Sequence, residues 1–333
     1  MIELELKDFV GKYSSLNSAS VNQKASLFDI ARAYMTIGYP RTISAISNYG
    51  IFRFCEIYLR VINNVENAGS FLRLKSHFKS LDPSEKKNIA YFLGQSMTKL
   101  FAEKTLNCSI VFNTGDFKGT ITYKSGSQKL KPKKIIGKSS KNPKEPDLIG
   151  VTKNGEYHVL EAKGSSSSYK VNDHQHAINQ VSIISTINNK IPQTKSACYF
   201  KLYEPKIKGL IIDPDSEFKS LDIEFESTSI FRKYYSIFNL NYLKRDKIWK
   251  LKANQFEFAL FRLPFPYYPY LYFGVDMDIF NSINNNEPFE FKNYPDEFDF
   301  ENKSVKEYSF GPDGTILISL IRPTNLETKI YET

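Results

Sequence analysis

The chain reads as an α/β core set inside a larger α+β molecule, and three observations predict this. Residues 1 to about 106 carry apolar positions at helix spacing. Residues 107–215 break into short β-branched and aromatic runs crossed by one helix-period segment. Residues 216–333 mix both textures and are dense in aromatic side chains. The expected organisation is a helical N-terminal region, a mixed-sheet core and an α+β C-terminal region.

In the first region Leu27, Ile30, Ala31, Tyr34 and Met35 recur at helix spacing, as do Phe52, Cys55, Ile57, Tyr58, Leu59 and Ile62. Asp82-Pro83-Ser84-Glu85 marks a helix start, a polar cap followed by Pro in the first turn. That helix is expected to run through Ile89, Phe92, Leu93, Met97, Leu100 and Phe101 to about Leu106. In the core, CSIVF, GTITY, PDLIGV, EYHVLEAK, SACYFKLY and KGLIID are the expected strands. Val171 to Asn189 is the expected crossing helix, with Ala177, Val181, Ile184 and Asn188 on one face. In the last region the aromatic stretch Phe265 to Phe273 is read as core or interface rather than as a base-stacking surface. The acidic stretch 287–301 is read as a solvated face.

Composition narrows the class. Hydrophobic residues make up 41% of 333, enough for a buried core, which excludes a disordered or fibrous chain. No apolar run approaches the roughly 20 residues of a membrane-spanning helix, so no membrane partner is expected. The N-terminal MIELELKDFV lacks the basic and apolar zones of a secretory signal. Cys55, Cys108 and Cys198 are few and widely spaced, and support neither a disulfide framework nor a Cys-based zinc site. A soluble protein of a reducing cytoplasm is expected.

Net charge is +9, and all of the excess sits in one stretch. Residues 118–144 hold nine lysines and no Asp, Glu or Arg, which leaves 36 basic against 36 acidic residues elsewhere. Such a run suits a phosphate backbone, and Lys129, Lys131, Lys133, Lys134, Lys138 and Lys141 are the candidate nucleic-acid contacts. The absence of Arg favours non-specific phosphate contact over bidentate base reading.

The run ends one residue before EPDLIGVTKNGEYHVLEAKG, residues 145–164. Lys153-Asn154-Gly155 is a strong hairpin signal. The hairpin brings Asp147, at the start of one strand, and Glu161, near the end of the next, to the same end. Glu161 and Lys163 are two apart and leave the strand on one face. Two carboxylates and a lysine suit phosphodiester hydrolysis: the carboxylates hold Mg2+ or Mn2+, and the lysine orients water or offsets developing charge. The tripeptide Glu-x-Lys recurs from Glu5 to Glu327, and Asp313 with Glu327 repeats the same offset, so context decides. Asp313 sits in a Pro-Asp-Gly turn, and no apolar strand leads into Glu327. At the first pair, by contrast, Asp147 opens a strand and an apolar strand leads into Glu161.

Pro146-Asp147 with Glu161-Ala162-Lys163 resembles the PD-(D/E)xK nuclease superfamily over roughly residues 100–213. The resemblance implies a restriction-endonuclease-like core. It implies that Asp147 and Glu161 hold Mg2+ or Mn2+, with the Ala162 carbonyl as an extra ligand and Glu103 as the upstream acid. It implies Lys163 as the residue placing the attacking water, and Gln180, rather than Gln175, as the glutamine of the following helix. The implied activity is that of a metal-dependent endonuclease, on DNA ahead of RNA, in bacterial defence against foreign DNA. The alternatives are a catalytically silent nucleic-acid-binding subunit and a nuclease activated by a partner. The flanking regions are left as surfaces for self-association or a protein partner. His158, His174 and His176 lie near the motif, but His174 and His176 point about 200° apart around a helix and cannot share an ion.

Overall fold

The computed structural model describes residues 1–330 apart from 38–50, 118, 126–127, 131–144, 169, 204, 215–220, 240–246, 266–269, 289, 302–303 and 323–325. The architecture is mixed α+β. The chain divides into two compact units, 1–27 with 61–230 and 28–60 with 231–333. Both texture changes, near 106 and 215, fall inside the first unit.

The first unit opens with strands where helix was expected. In β1 (Ile2–Lys7) the residues Ile2, Leu4 and Leu6 are buried and Glu3, Glu5 and Lys7 alternate with them. That period is two, not 3.6, and it commits the segment to a sheet. β2 (Ser18–Gln23) pairs antiparallel with it. A short hairpin, Val65–Ala68 with Phe71–Leu74, follows. Helix α1 (Pro83–Thr105) starts at the expected cap: the Asp82 carboxylate accepts the Ser84 N–H at 2.8 Å, and Pro83 fills the first turn.

Next come β3 (Cys108–Asn113), β4 (Leu148–Thr152), β5 (Tyr157–Ser165), β6 (Thr194–Lys201) and β7 (Lys208–Ile212). They join the first two strands in a seven-stranded sheet of order β2-β1-β7-β6-β5-β4-β3. β5 runs parallel to β6 and β1 parallel to β7, and the remaining neighbours are antiparallel. A parallel pair needs a crossover, and α2 (Val171–Ser182) supplies it between β5 and β6. This helix ends earlier than expected. Ile184, Thr186 and Ile187 are β-branched and form a strand paired with Leu221–Glu224, in a four-stranded sheet with Thr122–Ser125 and Gln128–Leu130.

The second unit carries a six-stranded antiparallel sheet, in the order 305–310, 315–320, 271–276, 256–262, 247–253, 327–330. Its aromatic density becomes core: Phe256, Phe258, Tyr272, Phe298 and Phe300 pack together with Leu260 and Ile318. Arg32, on the helix Leu27–Ile37, is fully buried with its guanidinium 3.5 Å from Asp313. The Tyr234 hydroxyl donates to Asp313 at 2.6 Å, and the Thr315 hydroxyl donates to the same carboxylate at 2.6 Å. Asp313 is thus a satisfied structural carboxylate.

Candidate active site

The hairpin β4–β5 closes on Asn154-Gly155 as its sequence demands. Gly155 has φ +71°, and its N–H donates to the Thr152 carbonyl at 3.0 Å. Leu148 pairs with Leu160, so the next pair outward brings Asp147 opposite Glu161. The two residues then exchange polar contacts. The Asp147 N–H donates to Glu161 Oε2 at 2.9 Å, and the Ala162 N–H donates to Asp147 Oδ2 at 3.1 Å. The Lys163 ammonium is ion-paired with Glu161 Oε1 and stands 4.0 Å from Asp147 Oδ2. The Thr114 N–H holds the Asp147 carbonyl at 3.0 Å and so fixes the strand's entry.

Burial is graded across the site. The Glu161 side chain is 0% exposed, while those of Asp147 and Lys163 are 21% and 30% exposed. Desolvation, and after it the Asp147 charge, pushes the Glu161 carboxyl up to about 8. Burial works to lower the Lys163 pKa, but Glu161 and Asp147 together outweigh it and hold the ammonium above its ordinary value. A cation is therefore already drawn between two crowded carboxylates.

The donor set fits a hard divalent ion. It consists of the Asp147 and Glu161 carboxylates and the Ala162 carbonyl. A strand residue directs its N–H and C=O to the same side, and the Ala162 N–H is directed at Asp147. Among the described residues no group of three or more His, Cys, Asp and Glu gathers to hold a metal. Two carboxylates still match Mg2+, which commonly takes one or two and leaves the rest of its shell to water and substrate.

Glu103, expected as a further ligand, is engaged elsewhere. It is buried and paired with Lys99 at 3.1 Å, one turn back on α1. The helix meets the motif near Gly94, and Glu103 lies nine residues, about 13 Å, further along the axis. Its charge is felt at Cys108, which pairs with Thr152 at the other end of the hairpin strand. Gln180 lies closer: its Nε2 donates to the Glu145 carbonyl at 3.4 Å, just ahead of Pro146. Lys129 lies on the strand Gln128–Leu130. Lys131, Lys133, Lys134, Lys138 and Lys141 lie outside the described residues. The histidines do not join the site. His158 is fully buried, with Nδ1 2.9 Å from the Thr194 hydroxyl, and burial pushes its pKa down to about 4.

Sequence reasoning missed what α1 contributes. The helix and β5 touch backbone to backbone: a Cβ on Gly94 would lie 2.6 Å from the Gly164 nitrogen, and one on Gly164 would lie 1.9 Å from the Ala90 carbonyl oxygen. This contact sets Tyr91 and Gln95 beside the motif. Gln95 is 1% exposed, and its Nε2 donates to the Tyr91 hydroxyl at 2.7 Å. Burial first, then the Asp147 and Glu161 charges, raises the Tyr91 phenol well above its ordinary value. Helix spacing gave no signal for this contribution: Gln95 lies on the opposite side of the helix from Ile89, Leu93, Met97 and Leu100, and only the packing of α1 buries both sides. No protein-family model, no curated protein and no solved structure matches the chain, so the site is read from its own geometry.

Proposed function

We propose that the protein is a metal-dependent nuclease of the PD-(D/E)xK kind, hydrolysing phosphodiester bonds at the outer end of the β4–β5 hairpin. One observation carries the reading: Asp147 and Glu161 sit side by side with Lys163 between them, two of the three only partly buried. The carboxylates and the Ala162 carbonyl would hold Mg2+ or Mn2+. A bound ion of this kind supplies Lewis acidity toward a phosphoryl oxygen and toward water. With the carboxylates engaged on such an ion, Lys163 would be available to orient the attacking water and to offset negative charge at the phosphate. The lysine run 118–144 leads directly into the motif and supports a polyanionic substrate. DNA stands ahead of RNA, and defence against foreign DNA is the role, on the family resemblance.

The test incubates wild type and an Asp147→Asn/Glu161→Gln double variant with plasmid, linear duplex, single-stranded DNA and RNA, each with Mg2+, Mn2+ or EDTA. Cutting should require metal and vanish in the double variant. Lys163→Ala should also lose cleavage while keeping the fold, and full activity in that variant would remove the assignment. A second reading is a nuclease held off until a partner binds. The Lys163–Glu161 pairing and the raised Glu161 pKa favour it. Binding of nucleic acid without cutting by the isolated chain would select this reading.

A further inference from the structure

The phenol of Tyr91 is placed to do more than pack. Its oxygen accepts the Gln95 Nε2–H at 2.7 Å. A phenol can accept and donate at once, so with its oxygen accepting from Gln95 the Tyr91 O–H is left to donate elsewhere. The carboxylates whose charge reaches the phenol are those of Asp147, Glu161 and Asp116, in that order. Tyr91 is 42% exposed and its ring makes an edge contact with Phe92 at 5.3 Å, so the residue is reachable from solvent. The Gly94–Gly164 contact fixes the height of this helix turn over Lys163: a Cβ on Gly94 would lie 2.9 Å from the Lys163 carbonyl carbon.

We propose that Tyr91 is a substrate-orienting residue of this site, held by Gln95 and by the close packing of its helix turn on β5 so that its O–H donates to a non-bridging oxygen of the scissile phosphate. The proposal rests on the nuclease reading above. It assigns to α1 a neutral hydrogen-bond donor where the resemblance had placed a carboxylate ligand. Removing such a donor weakens charge stabilisation at the phosphate without touching the metal ligands.

Tyr91→Phe deletes the hydroxyl and keeps the ring against Phe92. On the substrate that wild type cuts, single-turnover cleavage should fall roughly ten- to hundred-fold. Affinity for inorganic phosphate, titrated with Ca2+ in place of Mg2+, should fall roughly ten-fold. Mn2+ affinity measured without substrate should be unchanged, whereas Glu161→Gln should lose it. Wild-type cleavage and phosphate affinity in Tyr91→Phe, beside an inactive Glu161→Gln, would overturn this proposal and leave the nuclease standing. Lost Mn2+ binding in Tyr91→Phe would reduce Tyr91 to a structural support and overturn it as well. Absence of both cutting and nucleic-acid binding by wild type, with either metal, would remove the nuclease reading and this proposal with it, whereas binding without cutting leaves the phosphate-affinity comparison to decide it.

Discussion

Glu161 is where residue-scale chemistry is most exposed to test. Its carboxyl is fully buried and titrates near 8, against 4.5 for an ordinary glutamate. The folded protein therefore holds a proton that the unfolded chain releases. The stability this contributes is complete below about pH 4.5 and is lost as pH rises through about 8. Urea unfolding of metal-free protein should show wild type losing stability relative to Glu161→Gln between pH 5 and 8. Parallel curves would mean that Glu161 is ionised throughout. The same proton must leave when a cation binds, so Mn2+ affinity should climb with pH until about 8 and then level.

At the scale of elements, the site depends on one helix lying directly on one strand. Gly94 of α1 and Gly164 of β5 leave no room for a side chain: the added Cβ of Gly164→Ala would sit 1.9 Å from the Ala90 carbonyl oxygen, a backbone atom. The helix must move, at a cost of about 1–3 kcal/mol for overpacking, and Tyr91 and Gln95 move with it. Gly155→Ala is the useful contrast. It strains a turn at φ +71° far from the carboxylates and costs about 1 kcal/mol. Denaturant melts should show both variants destabilised, while cleavage assays below the transition should show activity lost in Gly164→Ala and kept in Gly155→Ala. Equal activity in the two would mean that the helix packing serves stability alone.

At the scale of the whole molecule, charge is separated from chemistry along the chain. The nine lysines of 118–144 account for the entire +9, and the rest of the protein is neutral. Binding should therefore depend steeply on salt. Changing Lys129, Lys131, Lys133 and Lys134 together to Gln should weaken nucleic-acid binding. It should also flatten log K against log salt by roughly one unit for each phosphate no longer neutralised. An unchanged slope would make the run a bystander. The three cysteines are buried and form no disulfide, and no helix among the described residues is long and apolar enough to cross a membrane.

Local signals determined a good part of this protein. Asn154-Gly155 and two flanking apolar runs specified a hairpin, because a tight turn between two short apolar runs needs no distant partner. Asp82-Pro83 specified where α1 begins for the same reason. With the hairpin came the meeting of Asp147, Glu161 and Lys163, residues whose spacing is set by strand geometry. Tertiary structure decided the rest. Ile2–Lys7 became a strand through pairing with Lys208–Ile212, at the far end of the same unit's sequence. Ile184–Ile187 left its helix to pair with Leu221–Glu224. Glu103 was taken by Lys99, and Tyr91 was brought to the motif by two glycines far apart in sequence. Each of these outcomes depends on which surfaces close-pack, and a short window of sequence carries no record of what will lie against it.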